Sequence, residues 1–223
     1  MHVEHIIWDW NGTLFADGRA LIESTIDAFE AAGLGAIAHE DYQRLHCQPI
    51  SSFYDRLAGR QLSAVEQELL EKNFYASYQK RREDIALAHD AVEALTTWQG
   101  AGRSQSLLSM HPHDRLMSLV QKFGLAEFFL RIDGLVGDES AYKAPHLRRH
   151  LDYLDVSKDN ILLIGDSVDD AKAASQCGIN CILYHAGANA LHAEDHFTDL
   201  GVPVVAGLRN AVAAVLDADV GVV

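Results

Sequence analysis

Ile6-Ile7-Trp8-Asp9-Trp10-Asn11-Gly12-Thr13-Leu14 is an apolar run of strand-forming residues that ends in a carboxylate and a glycine turn. Such a run fits the carboxyl end of a buried parallel strand, where open α/β sheets place their ligands. Gly12 permits a tight turn that a side chain would obstruct. Thr13 adds a hydroxyl and a backbone N–H, each able to bind an anion or a neighbouring carboxylate. Asp-x-Asn-Gly is also ordinary turn chemistry, so the stretch alone leaves structure and function open.

Working outward, the spacing of Leu21, Ile22, Ile26, Phe29 and Ala32 predicts a helix over 17–32, ended by Gly33. Further helical pieces are expected over 39–46, 51–58 and 63–82. In the last, Ser63 and Glu66 form a capping box, and Leu69, Leu70, Phe74, Tyr75 and Tyr78 make an apolar face. From about residue 16 to 86 the chain reads as helix alone. Beyond residue 88 strands and helices alternate: strands are expected over 104–110, 132–136, 160–164 and 181–184, and helices over 90–99, 113–123, 145–154, 169–176 and 208–216. The alternation predicts an α/β fold, a doubly wound parallel sheet with helices on both faces. The helical stretch is an insertion after the first strand, so the expected division is a core of residues 1–15 and 87–223 with an α-helical cap of 16–86.

A chain of 223 residues with 48% hydrophobic side chains can bury a proper core. The net charge of −14 argues against wrapping nucleic acid or an anionic membrane. Cys47, Cys177 and Cys181 are too few and too irregular for a disulfide framework or a zinc site, and read as core or near-core thiols in a reducing compartment. No signal-like leader opens the chain and no apolar run approaches the roughly 20 residues of a membrane span. The expected location is the cytoplasm; nothing in the sequence fixes an oligomeric state.

The predicted strand ends bring together Asp9, Asn11 and Thr13, then Ser109, then Lys143, then Asp166 with Asp169 and Asp170. Asp9 and Asp166 can share a hard cation, Mg²⁺, which prefers oxygen ligands and bridges to a phosphate oxygen. Lys143 and Ser109 can neutralise and position phosphoryl oxygens, the larger part of what phosphoryl transfer asks of a protein.

The ordered set Asp9-Trp10-Asn11-Gly12-Thr13, Ser109, Lys143 and Gly165-Asp166-Ser167-Val168-Asp169-Asp170 resembles the four motifs of the haloacid dehalogenase superfamily, and the helical insertion resembles the cap of its phosphoglycolate phosphatase-like branch. The resemblance covers essentially the whole chain. It implies a Mg²⁺-dependent phosphatase acting on a small phosphorylated metabolite, with Asp9 as the nucleophile that becomes phosphorylated. It also implies metal ligation by Asp9, the Asn11 backbone carbonyl and Asp166, with Asp170 holding the metal's waters or Lys143. Ser109 and the Met110 N–H would hold the phosphoryl group, with Lys143 pairing to it and to Asp9. Asp169 reads as solvent-facing helix polarity. In this branch the segment Leu45–Ser52 faces the site, which makes Gln48, His46 and Arg56 candidates for contacting the rest of the substrate.

Asn11 is the departure. Phosphatases of the family usually carry there a second aspartate, which protonates the leaving alkoxide and then activates water; an amide does neither. Four explanations follow. The substrate has a good leaving group; another residue (His111, His113, His46 or Asp55) substitutes; the enzyme is slow and accumulates phosphorylated Asp9; or the chain binds a phosphoryl ligand without turning it over. A phosphonate hydrolase-like reading requires a Schiff-base lysine from the cap, but residues 16–71 contain none, and Lys72 and Lys80 read as surface charges. A dehalogenase would need an apolar halide pocket and no metal, against the Asp166 set.

Overall fold

The computed structural model describes residues 2–137 and 142–220. Its sheet has six parallel strands: β1 (His5–Trp8), β2 (Ser104–Pro112), β3 (Ile132–Leu135), β4 (Ile161–Gly165), β5 (Asn180–Tyr184) and β6 (Val204–Val205), in the order β3-β2-β1-β4-β5-β6. β1 is central and wholly buried, flanked by β2 and β4 in register, with Trp8 opposite Leu107 and Ile164. Asp9, Ser109 and Asp166 therefore emerge at one edge of three adjacent strands.

Because strand residues alternate faces, Ile6, Trp8, Leu107 and Ile164 pack into one core with α5 (Ala91–Gly100), α6 (His113–Lys122) and α9 (Leu208–Val220). Ile7, Leu108, Leu163 and Leu183 pack into another with α7 (Lys143–Leu151) and α8 (Val168–Cys177). The sheet is covered on both faces, as a parallel sheet requires. Cys47, Cys177 and Cys181 are free thiols, the last two buried. Among the described residues no helix is long and apolar enough to cross a membrane.

Between β1 and α5 run α1 (Gly18–Ala31), α2 (His39–Leu45), α3 (Ile50–Ala58) and α4 (Ala64–Arg81). They enclose a third core built on Ile22, Phe29, Tyr42, Phe53, Tyr54 and Leu70. The Ser63–Glu66 capping box opens α4, and Arg81 ties it to Glu23 and Asp27 of α1 at 3.0 and 2.9 Å. The expected apolar face of α4 is only partly packed: Leu70 is buried, whereas Leu69 and Tyr75 are exposed. Phe74 and Tyr75 instead wall a cavity between these helices and the sheet. The chain leaves and re-enters the sheet side by side, with Ala16 N–H donating to the Ala86 carbonyl at 3.0 Å and Ala88 N–H to the Leu14 carbonyl at 2.9 Å.

Candidate active site

The cavity, of about 890 Å³, is lined by Asp9, Asn11, Ser109, Met110, Lys143, Asp166 and Asp170 from the sheet side and by Gln48, His46 and Arg56 from the helical side. One site thus gathers every residue expected to hold the metal or the phosphoryl group except one, together with Gln48, His46 and Arg56. Thr13 is the exception: it is fully buried beneath the carboxylates, its hydroxyl 3.5 Å from Asp9 Oδ2 and 3.3 Å from Asp166 Oδ1. Of its two possible partners, anion or neighbouring carboxylate, the structure supplies the carboxylate.

Lys143, the first residue of α7, is buried, and its ammonium reaches both Asp9 Oδ1 and Asp170 Oδ1. Burial works against its charge, but Asp170 and Asp9 outweigh it and hold the pKa above the usual lysine value. Asp170 is fixed in turn: its Oδ2 accepts from Ser167 N–H at 3.0 Å and Ser167 Oγ at 2.5 Å, the capping box that starts α8. Asp169, expected to face solvent, is half-buried and accepts the Lys143 backbone N–H at 2.8 Å. Two carboxylates of α8 therefore place this lysine, one on its ammonium and one on its backbone, because α7 and α8 pack together at the strand ends.

Oxygens of Asp9, Asp166 and Asp170 lie within 4.8 Å of one another. Burial raises Asp9 to about 7 against the pull of Lys143; burial and then the Asp9 and Asp170 charges push Asp166 well above the carboxylate range. Among the described residues, Asp166 Oδ2 is buried with no protein partner. Gly12, at φ +74°, passes so close that a Cβ there would lie 2.1 Å from that oxygen. Three buried carboxylates against one lysine, with one oxygen unpaired and the backbone cleared around it, fit a hard divalent cation.

Asn11 Nδ2 donates at 2.5 Å to Oδ2 of Asp17, whose Oδ1 accepts the Gly12 N–H at 2.9 Å. Asn11 Oδ1 is thereby turned toward Ser109, whose hydroxyl donates to it at 3.4 Å. Asp17 is fully buried, and burial lifts it to about 6 although the Asn11 and Gly12 donors pull it down. In the sequence Asp17 shows only as the first residue of the expected helix; in the structure it precedes α1 as its N-cap, and its side chain makes no cap hydrogen bond. Among the candidate substitutes for the missing acid, His111, His113 and Asp55 do not line the cavity. His113 Nδ1 accepts from Gly134 N–H at 3.2 Å, and Asp55 Oδ1 from Leu62 N–H at 2.8 Å. His46 does line the cavity.

Residues 6–184 match the family model of haloacid dehalogenase-like hydrolases. The chain belongs to this family. This haloacid dehalogenase-like hydrolase is 24% identical over 183 residues to a phosphoglycolate phosphatase of Agrobacterium fabrum, covering 79% of this chain and 78% of that one. It is 22% identical over 180 residues to pyrophosphatase PpaX of Halalkalibacterium halodurans, covering 80% and 82%. In fold it resembles a haloacid dehalogenase-like family hydrolase of Streptococcus pneumoniae, with a TM-score of 0.79 at 14% identity over 95% of this chain and 98% of the other. A conserved haloacid dehalogenase-like protein of Agrobacterium tumefaciens gives 0.78 at 20% identity over 97% and 99%. These neighbours share the fold of this hydrolase.

Proposed function

We propose that this hydrolase is a Mg²⁺-dependent cytoplasmic phosphatase of a small phosphorylated metabolite, with residues 16–86 as the cap over a core of 1–15 and 87–223. The observation that carries the reading is Lys143 held between Asp9 and Asp170 beside the unpaired Asp166 oxygen. The relatives named phosphoglycolate phosphatase and pyrophosphatase agree with it. Asp9, Asp166 and the Asn11 carbonyl would hold the cation, and Asp170 would keep Lys143 in place and carry the cation's waters. When bound, Mg²⁺ supplies positive charge to a phosphoryl oxygen and offsets the crowded carboxylates.

Asp9 attacks phosphorus with one carboxylate oxygen; the bond to the leaving oxygen breaks, and its electron pair departs with that group. Lys143, the Ser109 hydroxyl and the Met110 N–H steady the phosphoryl oxygens while the aspartyl phosphate exists. Water then attacks phosphorus and the bond from phosphorus to the Asp9 oxygen breaks, which returns the carboxylate; the water's protons leave with the released dihydrogen phosphate. Asn11 cannot protonate the leaving group, so substrates with stable leaving anions are favoured. Its Oδ1, faced toward the cavity by Asp17, accepts a hydrogen bond and so orients the attacking water without deprotonating it. A phosphonate hydrolase-like reading would need a lysine of 16–86 in the cavity; the lining lysines are Lys143 and Lys172.

Phosphate release from alkyl, aryl and acyl phosphates, with and without Mg²⁺, tests the proposal. Turnover that depends on Mg²⁺ and vanishes in Asp9→Asn supports it. One phosphoryl group bound per chain without release would favour a phosphoryl-ligand binding protein with an impaired site.

A further inference from the structure

Three histidines from two stretches of chain distant in sequence form a file across the cavity wall. His46 follows α2, and His192 and His196 lie on the segment between β5 and β6. His46 Nδ1 is 3.2 Å from His192 Nε2, His192 Nδ1 is 3.2 Å from His196 Nδ1, and His196 Nε2 is 2.9 Å from the Arg44 carbonyl oxygen. The same segment is sewn to α2 by Gln43 Nε2 donating to the Ala190 carbonyl at 2.7 Å and Ala193 N–H donating to the Gln43 carbonyl at 3.2 Å.

With all three rings neutral, the carbonyl at one end fixes every ring. A carbonyl oxygen only accepts, so His196 Nε2 carries the proton. A neutral imidazole has one N–H, and the bond made by one nitrogen decides the state of the other. His196 Nδ1 is therefore a lone pair, His192 Nδ1 must donate to it, and His192 Nε2 is a lone pair. His46 Nδ1 must donate in turn, which leaves His46 Nε2 bare. Burial keeps His46 and His192 neutral, lowering them to about 4 and about 2. His46 is packed between Tyr42, stacked at 5.4 Å, and Phe53, edge-on at 4.9 Å. Among the described residues its Nε2 has no protein partner, yet it is not a buried orphan atom, so it opens into the cavity that His46 lines.

We propose that this histidine file presents His46 Nε2 to the substrate as a fixed hydrogen-bond acceptor, selecting phosphate esters that carry a neutral O–H or N–H donor beyond the phosphate over esters that carry a carboxylate there. The inference rests on the phosphatase reading of the cavity and narrows its substrate class. A carboxylate offers only lone pairs, so against His46 both partners lose their water and gain no bond. The lining cations other than Lys143, Arg56 and Lys172, are exposed, whereas His46 is buried.

The test has two arms. Nitrogen-15 NMR of the histidine rings in the Mg²⁺-loaded protein should show His46 Nε2 as a bare, pyridine-type nitrogen and His196 Nε2 as protonated. A protonated Nε2 on His46 would overturn the proposal. Binding and kcat/KM are then measured for ω-hydroxyalkyl and ω-carboxyalkyl phosphates of matched chain length, on wild type, His46→Phe and His192→Leu. Wild type should favour the hydroxyl series by on the order of tenfold at the length that spans the cavity. Both variants should lose that ratio, His192→Leu because the tautomer of His46 is no longer fixed. Equal or inverted preference in wild type, as Arg56 would produce, overturns the inference even if phosphate release is brisk. If no ester turns over, the phosphatase reading fails, while the NMR and binding ratios still decide this one.

Discussion

The carboxylate cluster at the strand ends and the histidine file opposite it are both buried sets of titratable groups, but they are held in opposite ways. The cluster is held by pairing: Lys143 spans Asp9 and Asp170, and one oxygen of Asp166 stays unmatched among the described residues. The file keeps its groups neutral by chaining each proton to the next acceptor, ending on the Arg44 carbonyl. Charge that lacks a partner calls for a cation or an anion from outside. A neutral chain calls for nothing and instead fixes which atom faces the ligand. In this molecule the first arrangement suits chemistry and the second suits choice of substrate.

The contrast breaks most visibly at Asp9. Asp9→Asn should lower turnover by on the order of 10⁴-fold or more, read as steady-state phosphate release, with binding of ester reduced far less. Asn11→Asp tests the missing acid. With Asp17→Asn added, the amide and carboxylate exchange places across the 2.5 Å contact, and turnover of alkyl phosphates should rise by about 10²–10⁴-fold. Asn11→Asp alone should gain less, because two carboxylates at that distance cannot both ionise. Equal rates for the single and double variants would show that the pair does not matter.

Smaller effects concern stability. Gly12→Ala should destabilise the fold by on the order of 1–3 kcal/mol in chemical denaturation, since φ is +74° and the new Cβ meets Asp166; it should also weaken Mg²⁺ binding measured by calorimetry. For the histidines, the folded values lie below the ordinary 6.5, so the unfolded chain takes up protons first as pH falls. Their contribution is complete above about pH 6.5 and is lost as pH drops toward about 4 for His46 and about 2 for His192, by up to about 3 kcal/mol for His46. His46→Phe should flatten that part of the stability profile; an unchanged slope would show that His46 is not held neutral by burial.

The carboxylate region was far more legible in the sequence than the file. Asp9 and Asp166 stand out because each ends an apolar strand beside a glycine, and Lys143 and Ser109 fall at the other predicted strand ends. Asp17 was hidden because its pattern is that of a helix start, although its side chain serves the neighbouring turn. Asp169 was misjudged because helix polarity says nothing of α7 packing beside it. His46 was named for its segment, but His192 and His196 carry no local pattern; only the docking of a coil segment on α2 gives them meaning. β6 escaped because two residues make no periodicity.

The two chain passages that join β1 to α1 and α4 to α5 lie hydrogen-bonded side by side at Leu14–Ala16 and Ala86–Ala88. An inserted segment whose ends are already paired closes its own loop, so its length and content cost the sheet little. By its chain connections the helical unit is therefore an exchangeable cassette, although α2 also docks on the segment between β5 and β6. A different set of helices spliced at these two points would inherit an intact carboxylate cluster and bring its own ligand preferences. New specificities can thus be grafted without touching the strands.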